Sequence, residues 1–178
     1  MASESSVRVD KRSTRITIPT DDVLYALAIS VGKLPKNRLA LQKIVWFAAN
    51  LLEREGFDVE GYVPYKAGGY SVEISGSLMA AYDSGWLEDA GEYYSLTPEG
   101  KEELKELVEP AVLRVLENPE NKKLLEYVLS LPPEVMAGIQ YYINPLIAVN
   151  SERLDEFTDA FLRFLEKKAK ELFIESGD

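Results

Sequence analysis

The chain has 178 residues, 46% of them hydrophobic and 28% charged, with a formal net charge of -10. It contains neither cysteine nor histidine, which excludes disulfides, zinc fingers, thiolate chemistry and any histidine-dependent triad. Acid–base work is left to carboxylates, Lys and Tyr.

The first six residues hold no apolar run and no stretch approaches transmembrane length, so a cytoplasmic protein is expected. The charged fraction and the lack of Cys fit a thermophilic source. Charge is split along the chain. Residues 1–43 carry eight basic and four acidic side chains, and the remaining 135 residues carry 12 basic and 26 acidic ones. A chain divided this way can present a basic patch despite its acidic average.

Residues 7–18 alternate apolar and polar at both ends, which predicts an extended arm or edge strand closed by Pro19. Thr20 is placed to cap a helix with Asp21 and Asp22 in its first turn and Gly32 as its stop. Leu34-Pro35 reads as a connector. Asn37 caps a second helix of about 38–55, in which Leu41, Ile44, Val45, Ala48, Leu51 and Leu52 follow the 3.6 period and Trp46 and Phe47 widen the apolar surface. A turn, a short extended piece at 62–65 and Gly68-Gly69 follow. That glycine pair is a backbone turn and not a phosphate loop, because no strand–GxxxxGK[ST]–helix pattern surrounds it. Ser71 is expected to cap a third helix of about 72–84, and Gly85 to end it. Two β-prone runs, Trp86-Leu87 and Tyr93 to Leu96, enclose an acidic Gly-containing tip and predict a hairpin. Thr97-Pro98-Glu99 opens a helix expected to reach about 117 with a bend at Pro110. Helices of about 119–131, 133–143 and 151–174 complete the chain.

Three helices, a two-stranded hairpin and a helix, in that order, predict a mainly α protein with a winged helix-turn-helix core and a C-terminal helical subdomain. The expected divisions are 1–19 as an N-terminal arm, 20–105 as the winged-helix domain and 106–178 as a helical extension. The string Leu96-Thr97-Pro98-Glu99-Gly100 resembles the end of the wing in MarR-like and PadR-like regulators. A closer resemblance spans about 38–103. Leu41-Gln42-Lys43-Ile44-Val45-Trp46-Phe47 looks like the leucine-glutamine-lysine helix of the SocA-like antitoxin (Panacea) domains, shared with YwgA-like uncharacterised proteins. Tyr65 to Ser71 looks like their glycine-proline-tyrosine-serine turn, with Gly69 where proline is usual. The resemblance implies a toxin–antitoxin or regulatory class and no specific ligand.

Two partners follow as alternatives. The first is double-stranded DNA, bound by a dimeric transcriptional regulator or antitoxin-like repressor. Its contacts would come from Arg8, Lys11, Arg12 and Arg15 in the arm, Lys36, Arg38, Lys43 and Lys66 at a rim, and Ser71, Ser75 and Ser77 as phosphate donors. The second is a protein such as a toxin, bound by an adaptor that does not touch DNA. The reader helix favours it, because its outward positions (Glu73, Gly76, Ser77, Ala80 and Ser84) lack the Arg, Lys, Asn or Gln of a base reader, and Glu88, Asp89 and Glu92 in the wing oppose phosphate. No acid/base pair or metal-ligand spacing is present, so no enzyme activity, cofactor or membrane partner is expected. The long amphipathic helices after 100 are expected to serve a homodimer or to close the monomer core.

Overall fold

Helix punctuation by proline organises the second half of this fold. The computed structural model describes residues 15–60, 63–65 and 68–175. Helices α4 (Pro98–Leu107), α5 (Pro110–Glu117), α6 (Pro119–Leu129) and α7 (Pro133–Ile143) each begin on a proline, whose missing N–H and preset φ suit the first helical position. The residue before proline is pushed towards extended backbone. Glu109, which precedes Pro110, obeys this at ψ 122°, and Val108 before it is extended too, at ψ 137°. Pro110 therefore separates two helices where one bent helix was expected. A 3-10 turn at Pro145–Ala148 leads to α8 (Leu154–Glu175).

The first half is built around α1 (Thr20–Val31), α2 (Arg38–Arg54) and α3 (Val72–Asp83). Gly32, at φ 78°, ends α1 by donating to the Ala28 carbonyl, a left-handed cap that glycine adopts without Cβ strain. Asn37 caps α2 through its side chain, which accepts from the Ala40 N–H at 3.0 Å. Two expected caps are corrected. Pro19 stands at the α1 N-cap, while the Thr20 hydroxyl donates to the Glu60 carbonyl at 2.7 Å. Ser71 precedes α3 but makes no side-chain cap.

The hairpin forms as expected, from β6 (Leu87–Ala90) and β7 (Tyr93–Leu96), and it gains a third strand. Lys33–Pro35, read as a connector, is β2 and pairs antiparallel with β7, giving the order β2-β7-β6. Lys33 lies opposite Ser95 and Pro35 opposite Tyr93. Of the arm expected at 7–18, the described part contains β1 (Thr17–Ile18), parallel to β3 (Asp58–Val59). The segment after β3 holds β4 (Val63–Tyr65) and β5 (Gly68–Tyr70), an antiparallel pair. The described residues are thus mainly helical with a small antiparallel sheet.

One apolar core runs from Ile18 to Phe157. Helix α1 packs on α2, α3, α4 and α5, and α2 packs on α6 and α7. Val112 and Leu116 of α5 are fully buried, and the Ser30 hydroxyl of α1 donates to the Leu116 carbonyl at 2.7 Å. Position 105/106 lies inside α4, with this core continuous across it.

The Leu-Thr-Pro-Glu-Gly string has a local physical account. The Thr97 side chain accepts from the Gly100 N–H and donates to the Gly85 carbonyl, tying the start of α4 to the turn before β6. Gly100 sits so close that a Cβ there would overlap the Trp86 carbonyl. Backbone cannot yield cheaply, so Gly100→Ala is expected to destabilise the fold by about 1–3 kcal/mol, read as a fall in the urea midpoint. An unchanged midpoint would refute this close approach.

Candidate nucleic-acid interface

The start of α3, the expected reader helix, is held by a buried side chain from α2. The Gln42 amide donates to the Ser71 carbonyl at 2.9 Å and accepts from the Ser71 N–H at 3.0 Å. The Ser71 hydroxyl donates to the Thr20 hydroxyl at 3.4 Å, which in turn reaches the Glu60 carbonyl. Gln42, Ser71 and Thr20 are all buried. This chain of bonds sets the first turn of α3 against α2, α1 and the end of β3.

The outward face of α3 is apolar and acidic. Val72 is 73% exposed and Met79 48%, and Glu73, Gly76, Ala80 and Asp83 are exposed beside them. Sequence reading missed Val72 and Met79, because a solvent-facing apolar side chain on a short helix resembles a core position. Ser77, counted as outward, is half-buried, and its carbonyl accepts from the Tyr25 hydroxyl at 3.2 Å. Ser75 is half-buried too. The face carries no Arg, Lys, Asn or Gln.

The hairpin neutralises the cation beside it. Lys36, just after β2, meets Asp89 of β6 at 2.6 Å, and the Tyr82 hydroxyl donates to the same carboxylate at 2.8 Å. The Lys36 bond, followed by that of Tyr82, holds Asp89 below the usual carboxylate range, and Asp89 raises Lys36 in return. The ammonium groups of Lys33 and Lys36 also lie over the Tyr93 and Tyr94 rings, at 4.3 and 5.0 Å. Glu88 and Glu92 remain exposed.

Among the described residues, the expected contacts are divided between surface and interior. Arg8, Lys11, Arg12 and Lys66 lie outside the described residues. Arg15 is exposed and pairs with Asp58 at 3.2 Å. Arg38 is exposed in the first turn of α2. Two expected surface contacts are corrected by burial: Ser71 belongs to the clamp, and Lys43 is only 1% exposed. Burial alone lowers the Lys43 amine from 10.5 to about 7. A signal for this was present. Lys43 stands three, four and seven residues before Trp46, Phe47 and Asn50, hence on the same side of α2, and those three residues face α6, α7 and the 3-10 turn.

The described residues hold no cluster of three or more metal-ligating side chains, and no helix is long and apolar enough to cross a membrane. Between Pro35–Asn37, Tyr93 and Leu129–Pro133 lies an open cleft of about 510 Å³. A smaller apolar groove of about 190 Å³ runs between Phe47, Leu51, Leu124, Val128 and Ile143.

Two measurements check this geometry. Gln42→Leu strands the buried N–H and carbonyl of Ser71, so a loss of about 2–4 kcal/mol is expected, and a loss below 1 kcal/mol would contradict the clamp. For Lys43, the folded amine titrates near 7 and the unfolded one near 10.5. Between those values the unfolded chain binds more protons, so stability rises with pH. Below about 7 both states are charged and the full cost of burial is present. The urea-derived stability of the native chain should therefore climb relative to Lys43→Met between these two pKa values, by up to about 1.4 kcal/mol per pH unit. A constant difference would rule this out.

No known protein family, no curated protein and no solved structure matches the chain.

Proposed function

We propose that the chain is a non-enzymatic, antitoxin-like protein-binding module on a winged-helix scaffold. The order α1-β2-α2-α3-β6-β7-α4 supports the scaffold, with β2 completing a three-stranded sheet beside the hairpin. The likeness to SocA-like antitoxin domains gains support from the clamp. Gln42 of the leucine-glutamine-lysine string meets Ser71 of the glycine-tyrosine-serine turn, so the two segments that carry the likeness act as one unit.

The observation that carries the reading is the exposed face of α3. It offers Val72, Met79 and Ala80 beside Glu73 and Asp83, with no cation on it. Phosphate contact supplies most non-specific affinity for DNA, and base readout needs donors on this helix. Apolar side chains flanked by carboxylates suit a partner with an apolar spot inside a basic rim. Beside this face, the Lys36 ammonium is already held by Asp89.

A photo-crosslinking residue at position 79 tests the proposal in cells. One discrete protein adduct is expected, and it should disappear in the Glu73→Lys/Asp83→Lys variant. In parallel, no electrophoretic shift of random duplex DNA is expected at micromolar protein and low salt. A shift that weakens in Arg12→Ala/Arg15→Ala would instead support a DNA-bound regulator gripped from the basic N-terminal side, where Arg38 is also exposed.

A further inference from the structure

Along one side of α2, Trp46, Ala49, Asn50 and Glu53 recur at three- and four-residue spacings, which stack side chains on a helix. The end of α7 and the 3-10 turn face them. Pro145 cannot continue α7, and Asn144 before it leaves helical backbone at φ -136° and ψ 85°. Asn144, with Ile143 and Ile147, closes a cleft of about 370 Å³ against α2, and Val59 of β3 forms a further wall. Small-molecule sites occupy roughly 300–1,000 Å³. No described residue of α3 or of the hairpin lines this cleft, so it is separate from the face assigned above to a protein partner.

Its polar groups lack protein partners. Trp46 is only 7% exposed and packs edge-on against Phe47, yet among the described residues nothing accepts from its indole N–H. The carboxamides of Asn50 and Asn144 and the carboxylate of Glu53 likewise have no hydrogen-bond partner among the described residues. Nearly all buried polar groups in folded proteins are hydrogen-bonded, so a donor more than nine-tenths buried at the wall of a cleft marks a place for an outside acceptor. Glu53 adds charge. Burial, followed by the nearby Asp58 carboxylate, raises its pKa, and Arg15 lowers it. Arg15 is itself taken by Asp58 at 3.2 Å. The Glu53 carboxylate is therefore partly desolvated without a cation of its own, and a positive group beside it would be held well.

The order of these groups selects the ligand. Trp46 and Glu53 lie seven positions apart, about 10 Å along the helix axis, with Asn50 between them. That is the length of about three extended residues. A carboxamide complements a peptide group, because it offers both N–H donors and a carbonyl acceptor. A chain that starts with its ammonium beside Glu53 brings a peptide group to Asn50 and a carbonyl to the Trp46 N–H. Ala49, Val59, Ile143 and Ile147 supply apolar surface for its side chains. An anionic ligand would meet the charges of Glu53 and Asp58, and a neutral one would leave Glu53 uncompensated. We propose that this cleft binds the free amino terminus of an extended peptide, with the ammonium at Glu53 and a backbone carbonyl on the Trp46 N–H.

The chain has two tryptophans, so a nitrogen–proton correlation spectrum of the full chain carries two indole signals. Through-space contacts to Phe47 and to Tyr25 assign them to Trp46 and Trp86 without any substitution. Leucyl-alanyl-alaninamide should move the Trp46 signal downfield and saturably, as its N–H gains an acceptor. The Trp86 signal should stay in place, because Glu103 already accepts from it. Two probes lack one element each: the N-acetyl form has no cation, and isoamylamine has the cation and an apolar body but no carbonyl. Both should bind at least about ten-fold more weakly, as should the free peptide with Glu53→Gln, which loses a charge-assisted bond. A Trp46 signal that does not move, or equal affinity for the acetylated peptide or for isoamylamine, would overturn the proposal whether or not the variant folds.

Discussion

A buried backbone N–H and carbonyl at the start of α3 require partners, and everything around α3 is arranged to supply them. The first N–H groups of a helix have no partner within it, and burying such an end without one is costly. Here Ser71 points both of its backbone groups at one amide, that of Gln42. Asn and Gln carry an N–H donor and a carbonyl acceptor side by side, and Gln42 reaches both backbone groups of Ser71 from α2. Once α3 is set by this bond, its C-terminal end fixes Gly85, and Thr97 ties that turn to α4. The hairpin is therefore positioned from both ends by side-chain bonds to backbone.

That arrangement assigns a scaffold role to residues that read as functional. Gln42, Lys43 and Ser71 look like surface chemistry when written as strings, but all three lie in the interior. What remains outside is a short helix face that carries Glu73 and Asp83, and a hairpin whose neighbouring lysine is held by Asp89. The face where a DNA reader would need positive charge thus carries two acids and no cation. The basic excess of the first 43 residues is partly consumed in turn, by Asp58, by Asp89 and by burial of Lys43.

The sequence made the local features legible and hid those that depend on distant residues. The extents of α1, α2 and α3, the Asn37 and Thr97 caps and the hairpin follow from signals within one or two turns. Strand β2 was missed because three residues ending in proline acquire strand identity only from β7, some sixty positions later. The roles of Thr20 and Ser71 were misread for the same reason, since a capping residue type preceding or opening a helix says nothing about a carbonyl at Glu60. Lys43 was placed on the rim because a lysine on an amphipathic helix is usually solvated. Its spacing to Trp46, Phe47 and Asn50 sets it on the side of α2 that α6 and α7 cover, but that cover comes from residues far along the chain.

The hydrogen bond from Ser30 to Leu116 spans 86 positions, and it marks a dependence in time as well as in space. Helices α1 and α2 expose almost continuous apolar surface until α5, α6 and α7 arrive to cover it. At synthesis rates of roughly 5–20 residues per second, that cover leaves the ribosome several seconds later. During this interval the nascent chain presents Leu24, Leu27, Ile44 and Leu52 without their final neighbours. Surface of that kind is prone to aggregate until it is covered, so yield on expression would respond to translation speed across α2 to α5 as well as to the stability of the finished fold.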